Sequence, residues 1–211
     1  SAIDALAKIA AANAIWLHVG SMVVRIAEDK VANRSVLFTP NGDIAATYDK
    51  MHMFDVDLPG GETYRESSVY QAGSEPVVAS TALAILGLTI CYDLRFPNLF
   101  KQLAQKGADV ISVPAAFTKQ TGEAHWEVLL RARAIETGAY VIAPAQGGRH
   151  EDGRSTYGSS LVVDPWGTVI ARAPDDAPGV VFADIDTGRV VDARRRIPAW
   201  SLDLPAQNRT S

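Results

Sequence analysis

The chain has 211 residues, 47% hydrophobic and 21% charged, the balance of an ordinary globular fold and not of a disordered tract. Twenty Lys+Arg against 24 Asp+Glu give a formal charge of −4, which supplies no basic field for nucleic acid or an anionic membrane. A single cysteine, Cys91, excludes an intrachain disulfide and a multi-cysteine zinc site, and fits a reducing cytoplasm.

Residues 1–14 predict a helix, because Ile3, Leu6, Ile9 and Ala10 recur at helical spacing. Residues 15–19 and 22–26 read as strands broken at Gly20-Ser21. Residues 36–38 and 44–48 flank Asn41-Gly42, a hairpin signal because both turn residues tolerate positive φ. Residues 51–74 are polar and without a sustained period, and so long a connection inside a compact domain is usually functional. The uncharged stretch 76–92 is short for a membrane span and reads as paired strands, with 83–91 an apolar run suited to a buried strand. Pro97 opens a helix that turns Phe100, Leu103 and Ala104 inward. A strand at 110–113 follows, then a helix at 126–136 with Trp126, Leu129, Leu130 and Ala134 on one face. Strands are expected at 140–143, 159–163 and 169–171, the last two joined by Asp164-Pro165-Trp166-Gly167, then at 180–184 before a closing helix at 187–196. The Arg194-Arg195-Arg196 run reads as a solvated helix face. Strands alternating with helices, flanked by hairpins, predict packed α and β layers in one domain spanning 1–211.

Cys91 stands at the end of an apolar strand, before a turn into a helix. A nucleophile there sits near a helix N-terminus whose partial positive charge favours thiolate, with backbone N–H groups available to an oxyanion. Without that setting a lone cysteine is a small buried hydrophobe. Lys50 ends a strand and opens the long polar stretch, from where it can reach a cleft, stabilise a thiolate and polarise a carbonyl; strand-end lysines are otherwise solvated. His52 and His125 could pair with Cys91, but the local signature of a papain-like site is absent. The four histidines have no zinc-binding spacing, so no metal is expected. A redox-sensing thiol would want a resolving cysteine.

Lys50-Met51-His52-Met53-Phe54 with Asp55-Val56-Asp57-Leu58-Pro59, then Gly87-Leu88-Thr89-Ile90-Cys91-Tyr92-Asp93-Leu94-Arg95-Phe96-Pro97, then His125-Trp126-Glu127 leading to Arg131-Ala132-Arg133-Ala134-Ile135-Glu136, resemble the nitrilase superfamily of carbon–nitrogen hydrolases. The resemblance runs from residue 1 to about 205. Gln146-Gly147-Gly148-Arg149-His150, Tyr157-Gly158 and Val162-Val163-Asp164-Pro165-Trp166-Gly167 are most similar to its branch of deaminated-glutathione amidases and ω-amidases. The resemblance implies an αββα sandwich, a Glu–Lys–Cys triad without metal or organic cofactor, and a homodimer or higher homo-oligomer. Position by position, it implies that Cys91 is the nucleophile, Lys50 the triad lysine, and Glu66 a second glutamate that orients Lys50 and keeps it protonated. Lys50 and the Tyr92 N–H would form the oxyanion hole. On the substrate side it implies Tyr92, Phe117, His125 and Arg149, with Arg149 a candidate for bidentate grip on a carboxylate. Arg95 reads as structural, beside the nucleophile turn.

The family's general base is a glutamate at the end of a strand upstream of the opening helix, and no residue here matches it. The chain is therefore expected to lack the first strand–helix unit and, as it stands, to be nearly inactive. Ser159 stands where close relatives carry His, which bears on the substrate more than on the reaction class. The expected function is cleavage of a small ω-amide or deaminated-glutathione-like amide through a cysteine thioester. The alternatives are a catalytically impaired binding or assembly module of the same fold, or a nitrilase or N-carbamoyl hydrolase of another branch.

Overall fold

The computed structural model describes residues 1–58, 61–151, 153–174 and 177–202. Pro59, and the end of the resemblance beyond Leu202, lie outside them. Helix α1 (Ala2–Asn13) begins in a capping box, Ser1 with Asp4, and ends at Ala14 in the left-handed region. Its inner face, Ile3, Leu6, Ala7 and Ala10, packs on Leu17, Val19, Met22, Val36 and Phe38. Those residues belong to an antiparallel three-stranded sheet of β1 (Leu17–Arg25), β2 (Val31–Phe38) and β3 (Ile44–Asp49). The break expected at Gly20-Ser21 is a bulge within one continuous strand, where pairing with β2 slips between Val19 and Met22. Gly20 is required there, because a Cβ would lie 2.5 Å from the Pro114 Cβ. The hairpin turn forms as expected, with Gly42 at φ 87°.

The polar stretch is more ordered than its composition suggests. It holds a small ribbon of β4 (Asp55–Asp57) and β5 (Thr63–Arg65), then a 3₁₀ turn at Glu66–Ser68. Then come β6 (Val78–Ser80), β7 (Ile85–Leu88), α2 (Pro97–Gln105), β8 (Val110–Ser112), α3 (Lys119–Thr137) and β9 (Tyr140–Ala143). A ribbon of β10 (Gly147–Arg149) and β11 (Ser155–Tyr157) precedes β12 (Leu161–Val163), β13 (Val169–Arg172) and α4 (Thr187–Arg196).

Strands β6–β9, β12 and β13 form one sheet in the order β13-β12-β9-β8-β7-β6, parallel across β7, β8 and β9. Parallel neighbours need crossover connections, and α2 and α3 supply them. Both cover the same face, where Phe100, Leu103, Trp126, Leu130 and Ala134 pack with Ile111, Val141 and Val163. The other face meets the three-stranded sheet: Tyr48 packs with Leu88 and Ile90, and His18 of β1 bonds Ser112 of β8. The layers therefore run α1, sheet, sheet, α2 with α3, an αββα sandwich. Val190 of α4 closes on Val110 and Tyr140.

Two further expectations need correction. The apolar run 83–91 is strand only over Ile85–Leu88, and Cys91 opens a 3₁₀ turn, Cys91–Arg95. Residues 180–184 form no strand; Val180 is 78% and Phe182 87% exposed, alternation with no neighbouring strand to pair with among the described residues. No helix among the described residues is long and apolar enough to cross a membrane.

Candidate active site

Cys91 has φ 51°, a left-handed conformation that costs a non-glycine residue energy and turns the chain sharply as it leaves the sheet. The turn is held at several points. Cys91 N–H donates to Pro114 O at 2.8 Å, and the buried Arg133 of α3 donates Nε–H to Leu94 O at 2.9 Å. Arg133 is itself held by Glu136 at 2.9 Å and lies over the Phe100 ring. Tyr92 falls in the first helical turn, where backbone N–H groups have no intrahelical acceptor and can face a developing oxyanion.

Lys50 is reached from the other sheet. It follows the last residue of β3 and is pinned through its backbone, Lys50 N–H to Asn33 O at 2.9 Å and Gly73 N–H to Lys50 O at 2.9 Å. Gly73 has no room for a Cβ against the Asp49 carbonyl. The Lys50 side chain is only 3% exposed, and its ammonium donates to Glu66 Oε2. That carboxylate also accepts the Phe54 N–H at 2.6 Å, so Glu66 holds the lysine and fixes the start of the β4–β5 ribbon.

Cys91, Lys50 and Glu66 line one cavity of about 1500 Å³ that draws walls from both sheets. Burial pushes the Cys91 thiol up, while the Lys50 charge and a hydrogen bond from the Ala116 backbone pull it down, and Glu66 and Asp93 push it up. Tyr92, Phe117 and Arg95 line the same cavity. The Arg95 guanidinium lies 5.2 Å from the Phe117 ring centroid and 6.0 Å from that of Tyr92. Burial lowers its pKa while Tyr92 and Cys91 raise it, and no carboxylate bridges it among the described residues.

The family model described as carbon-nitrogen hydrolase matches residues 1–195. The chain belongs to the carbon–nitrogen hydrolase family. It is 49% identical over 187 residues to deaminated glutathione amidase of Yersinia enterocolitica, covering 87% of this chain and 65% of that protein. It is 44% identical over 196 residues to the human protein of the same name, covering 90% of this chain and 60% of the relative. The chain thus spans less than two thirds of the length of these relatives. The crystal structure of the C. elegans NitFhit protein superposes with a TM-score of 0.88 at 40% identity, covering 94% of this chain and 49% of that one. These likenesses place the chain in the nitrilase superfamily, on the deaminated-glutathione amidase branch.

Within the carbon–nitrogen hydrolase fold, the structure brings Cys91, Lys50, Glu66, Tyr92 and Phe117 to one cavity and leaves two other residues outside it. His125 is exposed on α3 and stands 3.3 Å from Arg95 Nη1, touching the cavity only through that arginine. Arg149 is exposed on β10 and does not line the cavity; Gly147, His150 and Arg154 of the same ribbon do. Arg95, read from sequence as structural, is in the wall. Ser159 also lines the cavity, at φ 59°, with its carbonyl accepting Trp126 Nε1–H at 2.9 Å. Sequence reasoning gave no role to Asp93 or His18. The one signal for Asp93 was an acid in the first turn after the cysteine; for His18 there was none. No cluster of three or more His, Cys, Asp or Glu could hold a metal ion among the described residues.

Proposed function

We propose that the protein hydrolyses the C–N bond of a small amide bearing a carboxylate, an ω-amide or a deaminated-glutathione-like compound, through a thioester on Cys91. The observation that carries this reading is the convergence of Cys91, Lys50 and Glu66 on one cavity. In this mechanism the Cys91 sulfur attacks the amide carbon and negative charge builds on its oxygen. Lys50 and the Tyr92 N–H stabilise that charge, an electrostatic contribution of about 3–4 kcal/mol for one well-placed donor. The C–N bond then breaks, the amine leaves with a proton, and water releases the acid from the thioester. Arg95 supplies the cation for the substrate carboxylate in place of Arg149, because it is in the wall and carries no acid partner among the described residues. The names of the relatives favour deaminated glutathione within this class. A reducing cytoplasm, where the thiol stays free, is the setting we assign.

Incubation with a slow amide followed by peptide mass mapping should place the acyl group on Cys91, and Cys91→Ala should abolish it. An adduct elsewhere, or full activity in Cys91→Ala, overturns the assignment. A nitrile outpacing ω-amides in kcat/KM would move the protein to another branch. A second reading, the fold retained as a binding or assembly module, is favoured by one observation. Among the described residues Glu66 is the sole acid lining the cavity, and it is already engaged by Lys50 and Phe54. Acylation without turnover would support that reading.

A further inference from the structure

Asp93 is fully buried, lies outside the cavity wall, and pairs with no lysine or arginine among the described residues. Its carboxylate is saturated instead by four donors. Oδ2 accepts the Tyr48 hydroxyl at 2.7 Å and the Ile90 N–H at 2.9 Å. Oδ1 accepts the His52 N–H at 3.1 Å and His52 Nδ1 at 2.7 Å. An ionised carboxylate offers about four lone-pair sites, so none is left over. Because the carboxylate can only accept, the network assigns the His52 proton to Nδ1. The His52 ring is further clamped by stacking on Phe96, with centroids 3.6 Å apart and planes within 9°.

The placement of these donors is informative. Tyr48 and His52 lie on either side of Lys50 in the chain, each separated from it by one residue. Ile90 immediately precedes Cys91, and Asp93 belongs to the same 3₁₀ turn as the cysteine. The lysine and the nucleophile come from different sheets, and no backbone ladder pairs β3 with that turn. We propose that Asp93 is the positioning residue that fixes Lys50 against Cys91, one buried carboxylate holding the strand end with the lysine and the turn with the nucleophile in a single register. The inference rests on the reading of Cys91 and Lys50 as a working pair.

The charges acting on the thiol make the idea testable by sign. The ionisable groups that act on Cys91 are Lys50, Glu66, Asp93 and Arg95. If Asp93 acted on Cys91 only through its own charge, neutralising it would ease ionisation of the thiol. If it acts by holding Lys50 in place, neutralising it lets the lysine drift and makes ionisation harder. The two effects have opposite signs.

Because Cys91 is the only cysteine, its alkylation by iodoacetamide across pH reads the thiol directly, with no need for turnover. We expect the inflection of that profile to move up in Lys50→Met and also in Asp93→Asn. In the Lys50→Met background, Asp93→Asn should give no further upward move. Acylation by a slow amide should fall about 10²-fold in Asp93→Asn, as for a small misplacement of a catalytic group. Tyr48→Phe, which keeps the carboxylate and removes one donor, should move the inflection up by less, and it decides the matter if Asp93→Asn does not fold. An unchanged or lowered inflection in Asp93→Asn, or in Tyr48→Phe where that variant decides, with a raised one in Lys50→Met, overturns the positioning role and leaves the proposed function standing. No movement in Lys50→Met overturns the pairing of Lys50 with Cys91, and the positioning role with it.

Discussion

His18 offers a stability test worked from a single side chain. Its Nε2 lies 2.5 Å from Ser35 Oγ and its Nδ1 3.1 Å from Ser112 Oγ, so one imidazole bridges the two sheets beside the cavity. Ser35 Oγ donates to Val19 O at 3.2 Å and must therefore accept from His18, which assigns the proton to Nε2 and lets Nδ1 accept from Ser112. This neutral ring is fully satisfied, and burial pushes its pKa from 6.5 down to about 4. The unfolded chain, with the ordinary value, binds the proton first as pH falls, so acid favours unfolding. The contribution is intact above pH 6.5 and is lost progressively down to about pH 4. The full loss is on the order of 3 kcal/mol, with about 2 kcal/mol of it gone by pH 5. Urea unfolding at pH 7, 6, 5 and 4 and constant ionic strength should show this slope. His18→Gln, which keeps a donor and an acceptor but cannot titrate, should flatten the slope by that amount. Parallel pH dependences for the two proteins would refute the account of His18 as a buried neutral bridge.

Lys50→Met should reduce acylation of Cys91 by about 10²-fold or more, and Lys50→Arg should fail as well, because a planar guanidinium does not replace a compact ammonium; single-turnover kinetics with a slow amide reads both. Arg95→Gln should raise KM for carboxylate-bearing amides about 10- to 100-fold and leave neutral amides within a few-fold, the cost of one lost charged hydrogen bond. The protein should assemble at least to a dimer, and light scattering that finds only monomer at micromolar concentration would contradict this.

Local chemistry was legible and long-range chemistry was not. The β2–β3 turn follows from Asn41-Gly42, and the start of α2 from Pro97, because each residue determines its own backbone. The Cys91, Lys50 and Glu66 assignments came from motif resemblance, and the structure gives them a shared cavity. Arg95, expected to be structural, lines the cavity, because a neighbour of the nucleophile turn can point either into the core or into the cavity, and side-chain direction is a tertiary property. Arg149 shows the reverse case, a cation with the right chemistry that is exposed on β10 and outside the cavity wall. The bulge at Gly20 looked like a strand break, since a glycine is the shared sign of both; the close approach of Pro114 that demands it lies 94 residues away in sequence. Asp93 and His18 work by joining segments that no local pattern connects.

The proton balance of the reaction sets the last expectation. Cleaving an amide requires a proton for the leaving nitrogen and its removal from the incoming water, whereas an activated aryl ester leaves without that help. Glu66 Oε2 already accepts from Lys50 and from the Phe54 N–H, and no second acid lines the cavity among the described residues. Glu66 is therefore expected to act as the holder of Lys50, and the 211-residue chain should be acylated readily by an aryl ester, slowly by an amide, and turn over slowly with either. An aryl ester should give a burst of one product per Cys91 followed by a slow steady state. Added acetate or formate, small enough to enter the cavity and serve as base, should speed the steady state without changing the burst. Glu66→Gln should suppress the burst itself, because it releases the lysine. If the 211-residue chain instead turns over amides at about 1–10³ s⁻¹, Glu66 must shuttle protons through its other oxygen, and its assignment as a holder alone is wrong.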